Sequence, residues 1–206
     1  MQVTPRIENV PIIHTAFEIG DPEAIIERYA KEKAFDFIFI GTRDKHGAMD
    51  KILGSVAINV MKDAPCPVFV IPEFAAYRTT TIVTYATNLE EVDPYEIWRV
   101  SKLLAPFNPI IRCVHFEKET GAEKTAIDME TLKSFFSDNA PALQITFHEI
   151  ATDNKVDSML EVLVTFDTNL LVTYQPQRNF WQRLLHRSFT KQMALSAKVP
   201  ILVLKG

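Results

Sequence analysis

Gly41, Thr42, Arg43, Gly54, Ser55 and Val56 are the residues whose types and spacing could do chemistry, and that chemistry is the holding of a phosphate. An apolar run, Phe37 to Ile40, breaks at Gly41 into a polar loop. Gly54-Ser55 then stands at the start of an amphipathic helix, and a second apolar run, Val68 to Ile71, ends at Pro72. Small residues at the carboxyl end of a strand let the backbone approach an anion closely, and the amides at the start of the next helix face it. Arg43 and Lys45 add positive charge, and His46 could donate to an anion. Asp44 opposes them: a carboxylate about 4 Å from a phosphate oxygen costs about 4 kcal/mol at an effective dielectric of 20. That is close to a thousandfold in affinity at about 1.4 kcal/mol per decade.

Other chemistry is poorly represented. The histidines (His14, His46, His115, His148 and His186) have no metal-ligand spacing among them, so no metal site is expected. Ser188 lies near His186, but G-x-S-x-G and an orienting acid are missing. No paired carboxylates stand at the carboxyl ends of strands, so no catalytic residue is assigned. Cys66 and Cys113 lack CxxC spacing and read as free thiols of a reducing cytoplasm. A chain of 206 residues with net charge −4 has no basic block to suggest nucleic acid, no apolar run of membrane-spanning length and no signal peptide at its start.

The elements that position the loop follow from apolar periodicity. Ile12 to Ile19 reads as a strand, and Asp21-Pro22 caps a helix over 22–34 with Ile25, Ile26, Tyr29 and Ala30 on its inner face. Phe37 to Ile40 reads as a strand covered on both faces, each side chain contributing roughly 1.5–3 kcal/mol on burial. After a connector, Glu73 to Thr80, strands are expected at Thr81–Ala86, Ile110–Phe116, Leu143–Ile150, Leu170–Tyr174 and Ile201–Leu204. Helices between them are expected from Asp93-Pro94 to about Leu104, and at about 122–138, 155–166 and 179–196. Alternation of this kind implies an α/β fold with a parallel sheet.

An offset of 133 residues carries Gly41 to Tyr174, Asp44 to Gln177, Gly54 to Arg187, Ser55 to Ser188, Ala64 to Ala197 and Pro67 to Pro200. Duplication is the natural explanation. Residues 1–72 then form a partial domain and 81–206 a complete one that has lost its glycines. The partial copy lacks two strands and two helices at its start. Truncation at the amino terminus, an omitted segment, or strands supplied by a partner chain would each account for that.

With the repeat laid out, the chain resembles the universal stress protein family in its tandem form. The family pattern is G-x2-G-x9-G-[S/T], a helix, and an APCPV-like entry to the next strand. Gly41, Gly54, Ser55 and Ala64-Pro65-Cys66-Pro67-Val68 match it, while Asp44 replaces the second glycine. The resemblance implies a Rossmann-like fold of the adenine nucleotide alpha hydrolase type: five parallel strands in the order 3-2-1-4-5, in two copies, the first holding only strands 3 to 5. It implies that fifth strands pair, here Val68–Ile71 with Ile201–Leu204, within one chain or in a homodimer. It also implies ATP, with magnesium, at Gly41, Thr42, Arg43, Gly54, Ser55 and Val56. An aspartate ends the family's first strand; in the second copy Asn88 stands roughly there. The expected activity is stress-response binding and sensing, the alternatives being a pure interaction module and, more weakly, a slow ATP hydrolase. A basic helix face (Arg183, Arg187 and Lys191) opposite Trp181, Leu184, Leu185 and Phe189 is a candidate docking surface for an acidic partner.

Overall fold

Asp21 caps the first described helix: its carboxylate accepts the Glu23 amide at 3.2 Å, and Pro22 opens helix α1, Pro22–Glu32. A computed structural model describes residues 12–42, 55–73, 75–118, 125–175 and 189–206. Strand β1 (Ile38–Gly41), helix α2 (Ser55–Asp63) and strand β2 (Val68–Ile71) follow α1. Then come β3 (Ile82–Thr87), α3 (Asp93–Leu103), β4 (Ile110–Glu117) and α4 (Met129–Asn139). The chain ends with β5 (Ile145–Ala151), α5 (Lys155–Thr165), β6 (Leu170–Gln175), α6 (Phe189–Ser196) and β7 (Ile201–Lys205). Helix starts follow local chemistry. Asp128 accepts the Thr131 amide at 2.7 Å before α4, and Asn154 accepts that of Asp157 at 3.3 Å before α5.

Among the described residues, the seven strands join one sheet in the order β1-β2-β7-β6-β3-β4-β5. Every pairing is parallel except β2 with β7, where Val68, Phe69 and Val70 face Val203, Leu202 and Ile201 in antiparallel register. Strands β3 to β7 alone have the expected order 3-2-1-4-5, and the pairing of Val68–Ile71 with Ile201–Leu204 is present within the single chain. Registers on either side of this seam match: Ile38 pairs with Val68 and Leu171 with Ile201, each thirty residues on.

The sheet divides the core. On one face α1, α2, α5 and α6 contribute Ala30, Val60, Met61, Met159, Val162 and Met193 over Ile38, Val68, Val70, Leu171 and Val203. On the other, α3 and α4 cover Val83, Tyr85, Ile111, Val172, Leu202 and Leu204 with Ile97, Val100, Leu132 and Phe136. Alternation of side chains along each strand produces this division. Both cysteines are buried and free.

Ile12–Ile19 is not a strand. It is irregular and wholly exposed, and none of its residues makes a backbone hydrogen bond to another described residue. Only two of the three strands expected in residues 1–72 therefore form. The helix expected over 122–138 begins later, at Met129, where Asp128 supplies the cap. Of the helix expected over 179–196, the described part is Phe189–Ser196.

Candidate functional site

The sequence motif falls at the carboxyl end of β1 and the start of α2. Gly41 is the last residue of β1, and the Thr42 amide extends the ladder by donating to the Ile71 carbonyl at 2.9 Å. Ser55 is the exposed first residue of α2. Val56 beside it is half-buried against the core, and Ala57, Val60 and Met61 pin the helix to the sheet. A parallel β1–α2–β2 unit necessarily turns the start of α2 toward the end of β1 where Gly41 lies. Arg43 and Gly54, with Asp44, Lys45 and His46, lie outside the described residues.

Among the described residues nothing requires position 41 to be glycine. A Cβ built there meets nothing within 4 Å, and its backbone is not in the left-handed region. The bare main chain at the end of β1 is thus open to solvent.

The corresponding end of β6 is different. Tyr174 and Gln175 stand 133 residues on from Gly41 and Thr42. Gln175 Oε1 accepts from Lys205 Nζ at 3.1 Å, and the same ammonium donates to the Met61 and Lys62 carbonyls, the latter at 3.2 Å. Lys205 on β7 therefore satisfies orphan carbonyls at the end of α2. Its charge is largely desolvated, which depresses its pKa from 10.5 to about 8. Burial likewise raises the Tyr174 pKa.

At the carboxyl end of β3 a buried network fills the space beside that strand. Asp93 accepts from the Tyr85 hydroxyl at 2.7 Å, the Thr87 hydroxyl at 2.5 Å and the Glu90 amide at 2.9 Å. The Thr87 hydroxyl also receives the Leu89 amide at 2.8 Å, and its carbonyl meets His115 Nδ1 at 3.1 Å. Burial and the Asp93 carboxylate hold the Tyr85 hydroxyl well above its ordinary pKa. One turn along α3, Glu96 is 3% exposed, and its carboxyl is pushed up by burial despite the Arg99 guanidinium at 3.1 Å. Asn88, at the place of the family aspartate, is exposed. Sequence reasoning took Asp93 only for a helix start. Its real signal was the alternation of Tyr85 and Thr87 on one face of a strand, both able to reach the first turn of the next helix.

Nothing else described converges into a reaction centre. Burial raises the pKa of both thiols, Cys113 well above its ordinary value. Burial and Arg112 lower that of His148, which packs on Phe166 with ring centroids 4.8 Å apart. A cleft of about 320 Å³, lined by Asp36, Phe37, Pro67, Arg99, Leu103 and Leu204, opens where β1 and β2 begin, away from Gly41. Trp181, Arg183, Leu184, Leu185 and Arg187 of the candidate basic helix lie outside the described residues, whereas Phe189 packs against the core.

Comparison with known proteins agrees with this geometry. The model of the universal stress protein family matches residues 2–72. A universal stress protein of Methanocaldococcus jannaschii is 44% identical over 59 residues, which are 29% of this chain and 35% of that relative. The alignment thus spans about a third of the relative's length. Among solved structures, a universal stress protein from Archaeoglobus fulgidus superposes with TM-score 0.74 at 15% identity, covering 94% of this chain and 68% of the other. A protein of unknown function from Pseudomonas aeruginosa gives TM-score 0.62 at 15% identity over 91% and 69%. These two likenesses speak to fold alone. Residues 2–72 are thus similar to the universal stress protein family in sequence, and the described chain as a whole has the Rossmann-like sheet of a solved universal stress protein.

Proposed function

We propose that this protein acts in a stress response by binding and sensing an adenine nucleotide rather than by turnover. ATP, with magnesium, would occupy Gly41, Thr42, Arg43, Gly54, Ser55 and Val56, and its occupancy would change what the protein presents to its partners. The observation that carries this reading is Gly41, a glycine at the end of a parallel strand that neither packing nor backbone conformation requires. Its counterpart, Tyr174, adjoins a strand end occupied by side chains, so binding belongs to one site. The reading includes tandem duplication, with residues 1–72 and 81–206 as partial and complete copies joined by 73–80, and a cytoplasmic location. Matching registers across the seam support the duplication.

Gly41→Val tests the site cleanly, since the added side chain has space and valine suits a strand. ATP affinity, measured by calorimetry with magnesium, should fall at least about tenfold, or about 1.4 kcal/mol, while the melting temperature holds. Asp44→Gly should tighten binding; an unchanged affinity would show that the carboxylate turns away. Absence of any thermal shift in millimolar ATP, with no nucleotide carried through purification, would favour the second reading, a pure interaction module. That reading is supported by β1 standing at the sheet edge, where a nucleotide crevice would have one wall among the described residues. Phosphate release abolished by Ser55→Ala would instead revive the slow hydrolase.

A further inference from the structure

Arg112 is a half-buried cation that has an aromatic ring for a neighbour instead of an acid. On β4 it shares the face that α5 covers, since Ile111 and Cys113 on either side belong to the opposite core. Its guanidinium sits over the Phe166 ring, with Cζ 4.4 Å from the centroid. A guanidinium stacked on a ring leaves its planar edge of N–H donors unused. Among the described residues, no hydrogen bond or ion pair reaches that edge. Asp167, the carboxylate next to Phe166 in sequence, is held instead by Arg78 at 2.8 and 3.4 Å.

Two further polar groups stand beside it on β5. Arg112 pairs in register with Thr146, and His148 lies one pleat further along the same face. Thr146 Oγ1 and His148 Nε2 are 3.0 Å apart, and the half-buried imidazole packs on the same Phe166 ring, centroids 4.8 Å apart. Phe166, the residue that ends α5, thus fixes both basic groups. Nearby acids turn elsewhere. Strand alternation sends Glu149 to the opposite face, and Glu161 on α5 is exposed, away from the inner positions Met159 and Leu163. Burial first, and then the Arg112 charge, hold the His148 pKa below its ordinary value.

We propose that Arg112, Thr146 and His148 form a binding site for a tetrahedral oxyanion, either free phosphate or the phosphate of a small phosphomonoester. A planar carboxylate would engage the Arg112 fork alone. An anion with oxygens in several directions can accept from guanidinium, hydroxyl and imidazole together. Its charge also relieves the repulsion between the two basic groups. The site is remote from Gly41: β4 stands five strand spacings from β1 in the sheet order, about 24 Å at about 4.8 Å each. It therefore does not depend on the adenine-nucleotide reading.

Sulfate is the first probe, because it stays a dianion throughout the range in which histidine titrates. Its binding is followed in the His148 imidazole signals by nuclear magnetic resonance, against chloride at matched ionic strength. Sulfate should raise the His148 pKa and bind about fivefold tighter at about pH 5.5 than at about pH 7.5, since the bound dianion favours the imidazolium. Arg112→Gln should weaken sulfate at least about tenfold. Should that variant fail to fold, the His148 titration in the unaltered protein decides. Gly41→Val should leave sulfate binding here unchanged. Inorganic phosphate and glycerol phosphate then separate the two sources: equal affinity assigns the site to the free anion, and a tighter ester to the phosphomonoester. A His148 pKa unmoved by tens of millimolar sulfate, binding that survives Arg112→Gln, or binding lost with Gly41→Val would each overturn the site.

Discussion

Asp93 shows what a single buried carboxylate can organise. It is 1% exposed and accepts from Tyr85, Thr87 and Glu90, so its charge is compensated by donors from β3 and the loop that follows. Asp93→Ala would strand those donors, and we expect a loss of about 3 kcal/mol or more in urea unfolding, whereas Tyr85→Phe should lose about 1–2 kcal/mol. Lys205 makes the opposite case, a charge held where it is uncomfortable. Its folded pKa of about 8 lies below the ordinary 10.5, so between these values the unfolded chain binds the extra proton. Stability therefore rises with pH through that window, and the cost of the buried charge is fully present below pH 8. From pH 7.5 to 9.5 the native protein should gain about 1–2 kcal/mol relative to Lys205→Met, which has no charge to desolvate. Chemical denaturation at the two pH values measures the difference.

At the scale of elements, the seam between β2 and β7 is central and the β1 edge is peripheral, although both consist of short apolar runs. Val68, Val70, Ile201, Leu202 and Val203 are wholly buried, while Phe39 is mostly in water. Leu202→Ala should cost about 2–5 kcal/mol through lost contacts and an unfilled cavity. Phe39→Ala should stay within roughly 1 kcal/mol, since Phe39 is 68% exposed. Comparing the two by thermal and urea unfolding would separate core from edge. Hydropathy cannot make this distinction, because Val68–Ile71 and Phe37–Ile40 are equally apolar. The strands' places in the sheet decide it.

For the whole molecule, the sheet runs without interruption from β1 to β5, and one core cluster draws residues from both sides of the connector. Ala30, Ile38 and Val60 pack in the same cluster as Met159, Val162 and Met193. Arg78 in the connector adds a 2.8 Å ion pair to Asp167, but that contact is exposed and contributes little. We therefore expect cooperative unfolding across the seam. Cys66 lies on the amino-terminal side and Cys113 on the carboxyl-terminal side, both buried. Their thiols should become reactive at the same urea concentration, each followed in the single-cysteine variant that keeps it. Two separated midpoints would show that the parts unfold independently.

The sequence by itself determined the periodic elements, the parallel character of most of the sheet and the contrast between Gly41 and Tyr174. These depend on local spacing and on residue type at one position. Asp21-Pro22 and Asp93-Pro94 marked helix starts correctly, the first through the Asp21 cap and a following proline, the second through proline geometry without a side-chain cap. Tertiary structure decided the rest. Ile12–Ile19 has the composition of a strand but pairs with no strand among the described residues, and pairing is a property of two segments rather than one. Lys205 and Gln175 acquire their roles only because β7 brings its last residue against the end of α2, more than 140 residues earlier in the chain. The Asp93 network likewise closes across β3 and α3, where hydrogen-bond distance and exclusion of water settle which polar residues are partners.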